Sequence, residues 1–279
     1  MTRLTHQDIS QITPRLVAHD TQLRAATGKG LLGIACHAWD LDEAPAQKAL
    51  EKLTTQVIPV TAGQGIITDF SATVVGILTF LGLPTRMAPE PDVQGLARTF
   101  ESQAQALFMA DDYQFMGVHL PTRTVADNTQ NTGKVYAAAL DLAANTIAGK
   151  TALVMGCGPV GAAAALELAR RGAKLLLHDI DPARALAVKL SLPKASEIAL
   201  APDLEPALEL APYILEATPE AQTLPAKFLT PAHVLAAPGV PLGVDEKGQE
   251  ILGPRLIHDK LELGVAAMAV ELIKPALKP

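Results

Sequence analysis

The chain has 279 residues, 49% of them hydrophobic and 19% charged, and a formal net charge of −6. Such a balance is globular rather than disordered, and it argues against nucleic acid, whose phosphates need clustered Lys and Arg that are not found here. Two cysteines, Cys36 and Cys157, are too few for a disulfide framework, and no apolar run approaches the roughly 18 residues of a membrane span.

The N-terminus, Met-Thr-Arg-Leu-Thr-His-Gln-Asp, lacks the apolar centre of a signal peptide, so a cytoplasmic protein is expected. Residues 5–26 predict a helix with Ile9, Ile12, Leu16 and Leu23 on one face and Pro14 as a kink or break. A loose region follows over 36–45, then a short helix to about residue 53. Residues 57–60 read as a buried strand running into the loop Thr61-Ala-Gly63-Gln-Gly65. A helix over 70–81 turns Phe70, Val74, Ile77, Leu78 and Leu81 inward. A strand is expected over 85–88, a helix capped by Asp92 over 92–103, and a strand over 106–110 that ends in Asp111-Asp112. Strands alternating with helices predict an α/β domain with a parallel sheet.

A helix over 131–144 leads to the most specific motif, Thr151-Ala-Leu-Val-Met-Gly156-Cys-Gly158-Pro-Val-Gly161. It reads as a buried strand turning through G-x-G-x-x-G into an alanine-rich helix, the context of a dinucleotide site. Gly156 permits the tight turn, Gly158 admits the pyrophosphate, and Gly161 lets helix and strand pack closely. Pro159 and Val160 open the helix whose free N–H groups face the phosphates. Asp179 ends the next strand, 18 positions after Gly161. Its carboxylate suits a ribose and repels a 2′-phosphate, which favours NAD over NADP. Asp181-Pro182 is the expected cap of the following helix. Strands over 213–217 and 233–237 end in Thr218-Pro219 and Pro238-Gly239. A last amphipathic helix, 261–274, is stopped by Pro275.

The expected architecture is therefore two α/β domains: a substrate domain over 1–148, a Rossmann NAD domain over 149–257, and a C-terminal helix in 258–279 returning to the first domain. Strand ends are where ligands bind in open α/β sheets. Asp111 and Asp112 form the best polar pair; one of them could hold a substrate ammonium, accept a proton if burial raised its pKa, or merely cap a turn. No further acidic ligand is spaced to complete a metal site, and no histidine spacing suggests one. His119 lies nearest the pair, but a structural role is expected for each histidine. No lysine follows the glycine motif, which disfavours phosphoryl transfer.

The chain also resembles the pyrrolysine synthase family. The resemblance is carried by Leu4-Thr5, Ile58-Pro-Val-Thr61-x-Gly63-x-Gly65, Phe70-Ser71, Pro91-Asp92-Val93-x-Gly95, Met109-Ala-Asp111-Asp112, Thr132-Gly133, Glu216-Ala-Thr218-Pro219 and Pro238-Gly-Val-Pro241. It implies oxidation of the terminal amine carbon of 3-methylornithyl-N6-lysine by NAD, loss of ammonia, and closure of the α-amine into a pyrroline ring. It further implies Asp111, Ser71 and Thr61 as catalytic residues, Leu4 closing over the site as a lid, and Gly63, Phe70 and Asp112 as substrate contacts. Thr218, Pro219 and Pro238 would line the nicotinamide end. Read without the resemblance, Leu4 is a staple or core contact. Ala62 stands where the family carries serine, which removes a hydroxyl from the loop.

The expected partners are a small-molecule substrate and, as an open expectation, a second copy in a homodimer, without membrane or nucleic acid. One alternative is a two-domain enzyme of the shikimate or methylene-tetrahydrofolate dehydrogenase type with a catalytic lysine. Lys29, Lys48, Lys52 and Lys134 are expected on loops or exposed faces, which speaks against it. The other alternative is a non-catalytic NAD-binding regulator.

Overall fold

The computed structural model describes residues 4–194 and 196–277. Two compact units divide it: a first unit of 4–20, Leu31–Asn131 and 261–277, and a second of Thr21–Gly30 and Thr132–Lys260. The chain crosses between them four times, twice inside helices, after Asp20 and after Asn131.

The first unit begins with α1 (His6–Ile9) and α2 (Ile12–Thr27). The single helix expected over 5–26 is thus two, and the break precedes Pro14. That proline sits in the first turn of α2, where a missing N–H has no intrahelical acceptor to lose. Next come α3 (Leu31–Ala38) and α4 (Glu43–Leu50). Part of the region expected to be loose is helical. Seven of the eight residues of α3 are buried, so it carries no polar face whose period could be read.

The sheet is built from β1 (Thr55–Val57), β2 (Thr85–Met87), β3 (Ala106–Ala110), β4 (Phe115–His119) and β5 (Thr124–Asp127), with α5 (Phe70–Phe80) and α6 (Asp92–Glu101) between the early strands. Strand order is β2-β1-β3-β4-β5. The first three strands are parallel, as expected. The last two add an antiparallel meander that the sequence reading did not place. Asp111-Asp112 is the reason: it ends β3, but it also makes the tight turn into β4.

In the second unit, α7 (Asn128–Ala143) leads to β6 (Thr151–Met155), α8 (Pro159–Arg170), β7 (Lys174–His178) and α9 (Pro182–Ser191). Then follow β8 (Ile198–Leu200), α10 (Leu204–Leu210), β9 (Tyr213–Glu216), β10 (Val234–Ala236), α11 (Glu246–Leu252) and β11 (Leu256–Ile257). All pairings in the order β11-β10-β9-β6-β7-β8 are parallel. The order reverses between β6 and β9, and ligands bind outside the carboxyl ends of strands at such a switch point. Covered on both faces, β6 is an unbroken apolar run, Ala152 through Met155 all buried.

The final helix, α12 (Glu262–Leu277), packs on α3, α4, α5, β4 and β5. It runs through Pro275 instead of stopping there. It is also not amphipathic along its first turns, since every residue from Glu262 to Val270 is buried. Among the described residues no helix is long and apolar enough to cross a membrane.

Candidate active site

The second unit shows why its glycines stand where they do. Gly156 has φ +83°, and a Cβ there would lie 2.8 Å from the Ala217 carbonyl oxygen. At Gly161 a Cβ would lie 1.8 Å from the Gly156 oxygen, so helix and turn touch. A Cβ on Gly158 would meet nothing within 4 Å. Of the three, the glycine expected to admit a pyrophosphate is the one facing open space. Pro159 and Val160 start α8, with Gly158 as the N-cap. These residues fit a dinucleotide phosphate. Asp179 is bound to the same turn: its Oδ2 accepts from the Cys157 amide at 2.7 Å and its Oδ1 from the Asp181 amide at 2.8 Å. Asp181 accepts from the Ala183 amide and caps α9 as expected. Burial first, then the Asp179 charge, pushes the Cys157 thiol up to about 12, so it is inert. His178 bonds the Ala201 carbonyl through Nδ1, a structural role.

At the other side of the switch point, Glu216 ends β9 fully buried. Its Oε1 accepts from the Thr218 amide at 2.9 Å and from the hydroxyls of Thr218 and Thr223. Burial pushes its carboxyl up against the pull of these bonds. Pro219 is exposed and Pro238 half-buried, each at the end of its strand.

In the first unit, the two expected substrate segments do come together. Gly63 has φ +59°, and a Cβ there would overlap the backbone at 2.0 Å from Asp112 N and 2.5 Å from Asp111 C. Only glycine fits, because the 61–63 loop lies directly on the Asp111-Asp112 turn. Thr61 is fixed from below by Asp92, which accepts from the Thr61 amide at 2.9 Å and from its hydroxyl at 2.5 Å. Asp92 therefore does not cap α6 as expected: Pro91 is the N-cap, and the carboxylate clamps the loop. Its pKa is held down chiefly by that hydroxyl bond. Asp111 lines a pocket with Val60, Met109, Ala110, Gln114 and Met116.

The state of Asp111 corrects one expectation. Its Oδ1 accepts from the amides of Tyr113 at 2.7 Å and Gln114 at 2.8 Å. These bonds, Gln114 first, hold its carboxyl below the usual range. It is a turn cap and a fixed anion, suited to hold a cation and ill suited to take a proton. Phe70 and Leu4 also differ from a simple contact role. Phe70 is 2% exposed and stacks edge-on against Phe115, with centroids 5.4 Å apart. Leu4 is 9% exposed, and with buried Ile9 it occupies the two staple positions around the Thr5 cap of α1. Ser71, in the first turn of α5, is buried. His119 donates or accepts through Nδ1 with Thr122, and burial lowers its pKa. Lys134 is not exposed as expected: it lies within α7, 21% exposed, and pairs with buried Glu167 at 2.8 Å.

Residues 8–126 match the family described as "Pyrrolysine biosynthesis protein PylD, N-terminal domain". The pyrrolysine synthase of Methanosarcina acetivorans is 30% identical over 98% of this chain and 100% of its own length. The chain belongs to the pyrrolysine synthase family. The pyrrolysine synthase of Methanosarcina barkeri (strain Fusaro) is equally similar, 30% identical over 98% of each chain. The motifs that suggested pyrrolysine synthase in the sequence thus led to the right family. Among solved structures, the quinate dehydrogenase from Corynebacterium glutamicum, in complex with NAD, has a TM-score of 0.53 at 16% identity, over 81% of this chain and 94% of that one. A shikimate dehydrogenase from Aquifex aeolicus gives 0.52 at 17%, over 81% and 92%. At that identity the likeness is one of fold.

Two residues escaped the sequence reading of this pyrrolysine synthase family member. Asp92 was legible only as a helix cap, although a proline before it already supplies that start. Glu216 was quoted within the motif Glu216-Ala-Thr218-Pro219 but given no role, although a lone acid in the apolar strand Tyr213-Ile-Leu-Glu-Ala217 is the signal.

Proposed function

We propose that the protein is an NAD-dependent dehydrogenase that oxidises the terminal amine carbon of 3-methylornithyl-N6-lysine, with loss of ammonia and ring closure to pyrrolysine. The observation that carries this reading is the 30% identity to a pyrrolysine synthase along 98% of the chain. The glycine turn at the switch point of a six-stranded parallel sheet supports it.

Bound at the glycine turn, the dinucleotide supplies the hydride acceptor. Gly156, Gly158, Pro159, Val160 and Gly161 would hold the pyrophosphate, and Thr218, Pro219 and Pro238 the nicotinamide end. Asp179 favours NAD, because a carboxylate at the strand end meets a 2′-phosphate with like charge. On the substrate side, Asp111 is the fixed anion for an ammonium group, next to Thr61, Gly63 and Asp112. Ser71, Phe70 and Leu4 complete that set, the last two from within packed apolar surroundings.

The test is incubation with the methylornithyl-lysine amide and either NAD or NADP. Absorbance of reduced cofactor should rise with NAD, and mass spectrometry should show the cyclised product. Reduction without the cyclised mass would point to a different amine, and no reduction with either cofactor would leave the regulator alternative standing.

A further inference from the structure

One buried group has no part in the reading above. Among the described residues, Glu216 Oε2 is a buried side-chain oxygen without a hydrogen-bond partner. Its residue is fully buried, at the carboxyl end of β9 beside the switch point. Two loops meet on this one carboxyl. Thr218, two residues on, donates both its amide and its hydroxyl to Oε1. Thr223 donates to the same oxygen at 3.3 Å, and the two threonine hydroxyls are 3.1 Å apart. On the other side stands the 239–243 segment. A Cβ on Gly243 would lie 2.6 Å from the Glu216 carboxyl carbon and 2.7 Å from Oε2, and one on Gly239 would lie 3.3 Å from Oε2. Gly243 is therefore small because Glu216 and the Thr223 hydroxyl, 2.6 Å from its Cβ position, fill the space, whereas Gly239 is small chiefly because the Thr218 carbonyl oxygen would lie 2.5 Å from its Cβ.

The residue after Glu216 adjoins the glycine turn. The Ala217 amide, next in the chain, donates to the Met155 carbonyl at 2.8 Å, and Gly156 abuts the Ala217 carbonyl. The carboxyl therefore sits at the root of the two loops that begin at β9 and β10, and beside the turn that ends β6.

We propose that Glu216 is a positioning residue of the cofactor site, a clip that sets the 218–223 and 239–243 loops against the nicotinamide end of the dinucleotide. It rests on the reading of the second unit as a nicotinamide dinucleotide site. The carboxyl is inaccessible, so it acts through Thr218 and the loop backbone and not by touching the ligand. Burial raises its pKa and so favours the neutral form, and an amide of the same shape can keep the loop contacts of the acid. The separation of roles is spatial: the adenosine and pyrophosphate groups belong to Asp179 and the glycine turn, whereas Glu216 governs the far end.

Titrations of NAD and of ADP-ribose, which lacks the nicotinamide, distinguish this role from plain packing. Glu216→Ala is expected to weaken NAD about tenfold and ADP-ribose less than about twofold, and Glu216→Gln to restore NAD to within about threefold of the parent. Thermal melting of each variant reports whether it is folded. Thr223→Val leaves the carboxyl in place and removes a hydroxyl that donates to it, at a residue outside the set assigned to the cofactor, so it carries the same test if Glu216→Ala does not fold. Equal losses for both ligands in a folded variant, or no loss for either, overturn the inference. A parent protein that binds neither ligand overturns the dinucleotide reading itself, and the clip with it.

Discussion

Asp111 caps a turn, and under the proposed function the same side chain also holds the substrate. Two backbone amides fix it and keep it ionised. An immobile anion costs little reorganisation when a cation arrives. Asp111→Asn keeps an acceptor for the turn but loses the charge. In initial-rate measurements its kcat/KM should fall about a hundredfold, the scale of a lost charge-assisted contact, while NAD affinity stays within about threefold. Wild-type turnover in that variant would remove Asp111 from the substrate site. On the cofactor side, Asp179→Ala should weaken NAD by about 1–3 kcal/mol in a titration, with a smaller penalty for NADP because the repulsion is gone as well. The sequence placed both acids at strand ends, since an acid closing an apolar run is a local signal. It could not supply the protonation state of Asp111, which depends on amides two and three residues further on.

The same logic holds for whole elements. The turn from β6 into α8 contains glycines with opposite reasons for being small. Gly161 has no room, and Gly158 faces open space, which the proposed dinucleotide would use. Gly161→Ala should therefore destabilise the protein by about 1–3 kcal/mol, as overpacking does. Gly158→Ala should leave stability within about 0.5 kcal/mol and still weaken dinucleotide binding, because its Cβ stands in the open space over the helix N-terminus. Chemical denaturation paired with cofactor titration separates the two cases. Equal stability losses would contradict the close-approach argument. The elements that went unread share a cause. The strands β8 and β11 have three and two residues, too short to show a period. The helix α3 has seven of its eight residues buried, and a helix without a wet face has no stripe.

For the molecule as a whole, two buried glutamates set opposite limits on stability against pH. Glu167 is pushed up by burial, but bonds from Arg170 and Lys134 outweigh this and hold it below its usual 4.5. A lowered acid stabilises above its unfolded pKa, and that contribution is lost as pH falls through the folded value. Glu216 is raised above 4.5 by burial. Its contribution is present below the unfolded value and is lost as pH rises through the folded one. No charged side chain enters that shift: β6 and β10 carry no titratable group, and on α8 Glu167 and Arg170 bind each other. As pH rises above about 4.5, the ordinary value from which Glu216 is raised, the melting temperature of the parent should therefore fall relative to Glu216→Gln. Parallel curves for the two proteins would show that Glu216 does not titrate in this range.

By itself the sequence determined what depends on neighbours in the chain. The strand-turn-helix around Gly156 and Gly161, the acid at its following strand end, the apolar periods of α5 and β3, and the motifs of the pyrrolysine synthase family are all local patterns. Tertiary structure alone decided what depends on residues far apart. Asp92 clamps Thr61 from 31 positions away, and Gly63 lies on the turn at Asp111-Asp112. Glu216 is locked between segments that converge only when β9 and β10 pair. The reason is physical: turns and periodicities follow from short-range sterics and solvation, whereas a carboxylate's partners and burial are fixed by whichever backbone the fold brings to it.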